Sequence, residues 1–273
     1  MIEIIETGAG GAGRHALSPR ERALLADYGR LRKRRFHDEL GWDVRLAGDE
    51  ERDRYDDAPA IYVLAVGGDE RWDDAGEDGT RALAPNQIVL PDGDAHAAAH
   101  AAAHADAYAA PPVRGGLRLM PTTGPTLLHD VFGVLMDEPN AFRAPGTWEI
   151  TRFCLCPASP RAMGAVTRAL FAALLDLSRA RDIDRHVAVT DPVVRRLLRL
   201  SGLRAREVSH DATTFGCPVT LWDWRVDAAF AATVERESVL HGIARRAIGL
   251  RVAANANRLG ATVAEPGGLG TGA

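Results

Sequence analysis

Within the segment LRKRRFHDELGWDVRLAGDEERDRYD, residues 31–56, stand Arg32, Phe36, Trp42, Asp53 and Asp56. One short stretch thus holds a cation, two aromatic rings and two carboxylates. Their chemistry is complementary. A guanidinium clamps a carboxylate through paired N–H groups, an aromatic face attracts a cation by about 0.5–2 kcal/mol, and a carboxylate attracts an amine. The bland alternatives are core packing for the rings and, for the charges, a structural ion-pair network closed by Arg118. Buried ions need partners under either reading.

These positions depend on the elements that carry them. Ser18, Pro19 and Glu21 form a capping box with proline at the first helical position. Leu24, Leu25, Tyr28 and Leu31 then recur at helical spacing and define a core face. Arg32 and Phe36, as i,i+4 neighbours, share a side near the end of this helix. Gly41 stops it and Trp42 opens a loop. Residues 1–5 are β-like, and a strand is predicted over 61–66. Another, over 117–120, carries Arg118. A turn-rich loop at 121–125 precedes 127–135, which contains Phe132. Residues 147–156 alternate as a strand. Strict alternation puts Glu149 and Arg152 on opposite faces, so a site using both requires the strand to bulge or splay. A helix over 161–181 offers Val166, Leu170, Ala173, Leu174 and Leu177 as its apolar face. A strand over 186–190 leads to a helix over 192–200, closed by Gly202. That helix carries the basic cluster Arg195, Arg196 and Arg199. A strand over 219–226 and a helix from about 232 to 259 complete the α/β pattern.

Composition narrows the function classes. A chain of 273 residues can bury a substantial core. Its formal net charge of −4 gives no reason to expect a nucleic-acid partner. No apolar run is long enough to span a bilayer, and MIEIIETGAG has acids where a signal peptide needs a basic start. A cytoplasmic protein without membrane association is expected. Cys154, Cys156 and Cys217 are an odd count and are read as buried thiols. Lys33 is the single lysine among abundant arginine and alanine, a compositional bias that warns against over-reading repeats.

Two stretches tempt a functional reading. GAGGAG at 8–13 lacks the strand–loop–helix surroundings of a dinucleotide loop and reads as a link. From 67 to 116 the composition turns acidic, then alanine-rich, with His96, His100 and His104 on one helical face. Two such histidines could share a metal. No acid or cysteine stands at a matching offset, so the expectation is an exposed low-complexity helix with no metal.

The series Arg32, Phe36, Trp42, Asp53, Asp56, Arg118, Phe132, Glu149 and Arg152, with the strings GLRLMPTTGPTLLHDVF and WEITRF, resembles the acyl-homoserine-lactone synthase (autoinducer synthase) family. The resemblance covers 28–66 and 116–203. It implies a three-layer α-β-α sandwich resembling the GNAT acyltransferase fold, with a mixed central sheet. One catalytic domain would span 1–259, with 67–116 as an insertion and 260–273 as a disordered tail. It also implies two substrates, S-adenosylmethionine and a fatty acyl thioester on acyl carrier protein, and no cofactor. The amine of the first takes the acyl group, and its carboxylate then closes the lactone, expelling methylthioadenosine.

The resemblance assigns residues as well. Arg32, Phe36, Trp42, Asp56 and Arg118 would bind S-adenosylmethionine. Glu149, ionised beside several arginines, would be the base, with Asp53 as the alternative and Arg152 as catalytic partner. Phe132 would line the acyl pocket. The family's threonine for 3-oxo chains falls at Ala188, with Thr190 two residues on, which favours an unsubstituted or 3-hydroxy chain. Arg195, Arg196 and Arg199 would dock the carrier. Rival readings are an N-acyltransferase using acyl-coenzyme A, with Arg161 and Gly164 as a partial pyrophosphate turn, and an inactive ligand- or metal-binding protein on the same fold.

Overall fold

Ile61, Val63 and Ala65 belong to one apolar cluster, Tyr62, Leu64 and Val66 to another, and all six are buried. A strand with that pattern is covered on both faces. A computed structural model describes residues 1–7, 17–67, 112–157, 160–203, 205–211 and 214–240.

In chain order the elements are β1 (Ile2–Thr7), α1 (Pro19–Arg32) continuing as a π-helix (Lys33–Glu39), β2 (Leu46–Ala47), β3 (Glu50–Glu51), a 3-10 turn (Arg54–Asp57), β4 (Ala60–Val66) and β5 (Val113–Pro121). Then follow α2 (Leu127–Asp130), β6 (Thr147–Leu155), α3 (Pro160–Ala180), β7 (Arg185–Thr190), α4 (Pro192–Leu200), β8 (Arg206–Asp211), β9 (Val219–Arg225) and α5 (Ala228–Leu240). Among the described residues, seven strands form a sheet in the order β1-β4-β5-β6-β7-β9-β8. The pair β6–β7 is parallel, and the other neighbours are antiparallel.

Leu24, Tyr28 and Leu31 of α1 bury one face of the sheet. Leu170, Leu174 and Leu177 of α3, backed by Phe230 and Val234 of α5, bury the other. Each such leucine contributes about 1.5–3 kcal/mol by leaving water. The result is the expected mixed three-layer sandwich, mainly antiparallel. Gly116 sets how close α1 lies to the sheet, because a Cβ there would stand 2.7 Å from Leu64 Cδ2 and 2.8 Å from Tyr28 Cε2.

Local signals were mostly accurate. Ser18 and Glu21 make the predicted capping box. The helix ends as a π-helix, which the spacing did not reveal, and Gly41 terminates it at φ +64°. The turn lets the Trp42 N–H donate to Phe36 O at 2.9 Å, folding the loop back on the helix. β5 begins at Val113, inside the expected insertion, because Val113 pairs with Val66 and Gly115 with Leu155. α5 begins at Ala228, earlier than expected, with Asp227 accepting the Phe230 N–H at 2.8 Å. Cys154 is buried as expected, whereas Cys156 and Cys217 are only half-buried; all three are free thiols. The glycine link 8–13, the histidine row His96, His100 and His104, and the 260–273 tail lie outside the described residues. No helix among the described residues is long and apolar enough to cross a membrane.

Candidate active site

Asp53 and Asp56 are fixed by a local device. Asp53 Oδ1 accepts the Tyr55 N–H at 2.9 Å and Asp56 Oδ2 accepts the Asp53 N–H at 2.8 Å, a capping box on the 3-10 turn. Their remaining lone pairs meet arginines. Arg32 donates to both Asp56 oxygens at 2.8 and 2.9 Å, and its Nε to Glu51. Arg118 donates to both Asp53 oxygens at 2.7 Å, to Asp56 at 2.8 Å and, through Nε, to Thr151 at 3.0 Å. Arg152 reaches Glu51 at 2.9 Å and Asp53 at 2.8 Å. The Tyr62 hydroxyl donates to Asp56 at 2.7 Å.

Three guanidiniums and three carboxylates therefore close one network, so the ion-pair reading of these charges is correct whatever else they do. Burial alone would push the Asp53 and Asp56 carboxyls up. The hydrogen bonds and charge of Arg118 and Arg32 outweigh it and hold both below the usual carboxylate range. Arg32 and Arg118 are buried, with every donor nitrogen occupied inside the network. Sequence reasoning missed Glu51 and Tyr62. Glu51 is fully buried and bridges Arg32 to Arg152.

The conflict between Glu149 and Arg152 is resolved by a bulge. Thr151 pairs with Arg118 and Cys154 with Gly116, so β6 carries one more residue than β5 between these pairs. Arg152 takes up the excess at φ +56°, a conformation costing a non-glycine residue roughly 1–2 kcal/mol. Tyr28 holds it there by donating its hydroxyl to Arg152 O, and the guanidinium lies 5.4 Å from the Phe36 ring centre. Glu149 and Arg152 consequently face the α1 side together, while Ile150 and Phe153 face α3.

The strands also splay, as that conflict allowed. β6 and β7 pair only from Thr147 with Arg185 to Glu149 with Val187. Beyond this pair they part, and a cleft of about 770 Å³, open mouth included, fills the gap. Phe36 and Trp42 stack at its edge, ring centres 5.4 Å apart and planes 16° from parallel. Phe132, Ala188 and Thr190 line it with Glu149 and Arg152. Phe132 is backed by Phe215, ring centres 4.8 Å apart, and Thr190 Oγ1 accepts the Trp222 indole N–H at 2.9 Å. Asp191 caps α4 through the Val193 and Val194 N–H groups and binds Arg35 at 3.2 Å, tying α4 to the π-helix.

Glu149 corrects an expectation. It is not kept ionised by the arginines, whose nitrogens face Glu51, Asp53 and Asp56. Only 1% exposed, it accepts the Leu128 N–H at 2.9 Å. Burial pushes its carboxyl up to about 8, against the opposing pull of Arg118 and of the Leu128 and Leu127 N–H groups.

The basic cluster divides. Arg196 and Arg199 are exposed on the outer side of α4 beside exposed Val193 and Leu200. Arg195 instead leans over the Trp222 ring at 5.8 Å, with Glu207 at 3.7 Å. Arg161 and Gly164, the partial pyrophosphate turn, lie inside α3, which starts at Pro160.

A mainly antiparallel sheet, parted at the one parallel pair among the described residues, with aromatic and charged groups gathered at the parting, has the form of a GNAT-like sandwich. The family model described as autoinducer synthase matches residues 16–72 and 101–223. The chain belongs to the autoinducer synthase family. It is 30% identical over 211 residues to an acyl-homoserine-lactone synthase of Rhizobium etli, covering 76% of this chain and 80% of that one. With an acyl-homoserine-lactone synthase of Ralstonia nicotianae it shares 30% over 218 residues, covering 78% and 85%. Among solved structures, it superposes on TofI in a ternary complex with an inhibitor and MTA with a TM-score of 0.58 at 22% identity, over 86% of this chain and 96% of that one. BjaI, a CoA-dependent acyl-homoserine lactone synthase solved with SAM and isopentyl-CoA, gives 0.58 at 20% identity over 87% and 89%.

Proposed function

We propose that this acyl-homoserine-lactone synthase moves a fatty acyl group from acyl carrier protein to the amine of S-adenosylmethionine and then closes the lactone. The observation that carries this reading is the parting of β6 and β7. It brings Glu149, Arg152 and the stacked pair Phe36 and Trp42 to one largely apolar cleft.

In the first step the amine nitrogen bonds to the thioester carbonyl carbon while the carbon–sulfur bond breaks. The ammonium loses two protons in becoming the amide N–H: Glu149, in its ionised form, takes one and the departing thiolate takes the other. Glu149 titrates at about 8, close enough to neutral pH for the carboxyl both to accept a proton from the substrate and to release it again. In the second step the carboxylate oxygen bonds to the γ-carbon, the carbon–sulfonium bond breaks, and sulfur keeps the electron pair as methylthioadenosine leaves. Arg152, which lines the cleft, meets the substrate's carboxylate, and Asp53, its partner in the network at 2.8 Å, meets the amine. Arg32, Arg118 and Asp56 act behind them as positioning residues. Phe132, Ala188 and Thr190 receive the acyl chain, and the sequence needs no separate cofactor.

Exposed Arg196 and Arg199 beside Val193 and Leu200 suit an acidic carrier protein that also offers apolar side chains. Coenzyme A as donor is the second reading, favoured by the likeness to BjaI. The test supplies purified protein with S-adenosylmethionine and either octanoyl carrier protein or octanoyl-CoA, and follows octanoyl-homoserine lactone and methylthioadenosine by mass spectrometry. Lactone from the carrier substrate with equal methylthioadenosine supports the proposal. Lactone from the CoA thioester alone moves the donor to coenzyme A, and none from either rejects the reading.

A further inference from the structure

Trp224 lies on β9 opposite His186 of β7, just inward of the point where β6 and β7 part. It is 3% exposed and belongs to the core beneath α3. Two spaces share it as a wall. One is the cleft, whose α3-side lining includes Phe153, Phe171 and Leu198. The other is a depression of about 970 Å³, open solvent included, lined by Arg206, Asp223, Asp227 and Phe230 among others. A side chain that lines both stands between them.

The two sides differ in chemistry. On the cleft side the walls are apolar: Phe153 and Phe171 meet edge to face, ring centres 6.4 Å apart. On the far side Arg185 donates to both Asp223 oxygens at 2.7 Å, and Arg206 joins them at 2.8 Å. An alkyl chain entering past Glu149 thus finds apolar contact as far as the indole, and charge beyond it. The indole is held by packing, since its ring centre is 6.4 Å from that of Trp222 while its buried Nε1 has no hydrogen-bond partner among the described residues.

We propose that Trp224 is the end-stop of the acyl cleft and sets the longest chain this synthase accepts. The inference rests on the acyl-transfer reading above. Trp224 touches only the chain's far end, so its removal alters which donor is used and leaves the reaction at the thioester intact.

The experiment gives wild type, Trp224→Ala and Trp224→Phe each S-adenosylmethionine with an equimolar mixture of straight-chain donors, butanoyl to tetradecanoyl, and quantifies every lactone by mass spectrometry. A methylene that gains apolar contact is worth roughly fourfold in binding, so opening the stop for two more carbons enriches the longer products by about 15-fold in the alanine variant. The phenylalanine variant, which keeps most of the volume and removes the unpartnered N–H, retains the fold and shifts the profile by less. If the alanine protein does not fold, Trp224→Leu is read in its place. A folded small-residue variant with the wild-type profile, or one inactive with every donor, overturns the assignment. A wild type that yields no lactone from any donor overturns the acyl-transfer reading, and this inference falls with it.

Discussion

Arg152 Nη2 lies 2.9 Å from Glu51 Oε1, although 101 residues separate the two in the chain. The contact joins the bulge of β6 to β3, just before the aspartates, and it makes Arg152 the cleft-side end of the charge network.

Replacing Arg152 by Ala should lower kcat/KM for lactone formation by about 100-fold or more, as loss of a charge placed on the reacting groups does elsewhere. Arg32 still neutralises Glu51, so the fold should survive with a loss of about 1–3 kcal/mol. Steady-state kinetics and a urea titration measure the two effects separately. Near-normal turnover would remove Arg152 from the site.

Glu149 predicts an unusual stability profile. Its folded carboxyl titrates at about 8, against about 4.3 in the unfolded chain, so the folded state holds the proton more tightly. The stabilisation is complete below the unfolded value and is lost as pH rises towards 8. Glu149→Gln cannot titrate, and its stability relative to wild type should therefore climb between about pH 4.3 and 8. Asp53 and Asp56, held below the usual range, act oppositely: what they contribute is present above about 3.9 and lost as pH falls through their folded values. Denaturant titrations across pH give the profile independently of rates, which the substrate amine also affects. Parallel curves for wild type and Glu149→Gln would show that the carboxyl is not buried as described.

Docking is best tested on the exposed pair. Arg196→Glu with Arg199→Glu should raise the apparent KM for acyl carrier protein severalfold and leave that for S-adenosylmethionine unchanged. Surface changes of this kind shift stability by no more than about 0.5 kcal/mol. An equal rise for both substrates, or for neither, sinks the docking assignment.

Removing residues 69–110 and inserting a short glycine linker should leave an active synthase. Val66 pairs with Val113, and the Gly67 N–H donates to Pro112 O at 3.0 Å, so the ends to be joined are already neighbours. Shortening a loop changes its closure entropy by only about 0.6 kcal/mol per halving. A deletion protein that is folded by circular dichroism and inactive, or a wild type inhibited by chelators, would give the histidine row a function.

The most legible features were those whose signal is local or periodic. Ser18 and Glu21 lie three residues apart and cap α1; the alternation of 147–156 gave a strand and, through Glu149 and Arg152, the need for an irregularity in it. Glu51 was illegible because nothing in GDEERD separates it from its exposed acidic neighbours until Arg32 and Arg152 arrive from distant elements. The charge state of Glu149 failed for a related reason. Proximity to arginines in sequence does not say which carboxylates they face, and burial decides the rest. β8 escaped notice because Arg206–Asp211 is polar and largely exposed, lacking the two-sided burial that marked β4.

The even match of Arg32, Arg118 and Arg152 against Glu51, Asp53 and Asp56 bears on how such a site can drift over generations. Exchanging buried Arg32, Arg118 or Glu51 for a neutral side chain leaves one unbalanced ion in a space that water scarcely enters, at a cost of about 3–5 kcal/mol, more than the loss expected for Arg152 at the cleft. That is a large part of the margin by which an ordinary domain stays folded. The six should therefore be inherited in concert, with a loss at one tolerated only beside a compensating loss at a partner. Counts of paired substitutions at these positions among the chain's relatives would reveal that linkage.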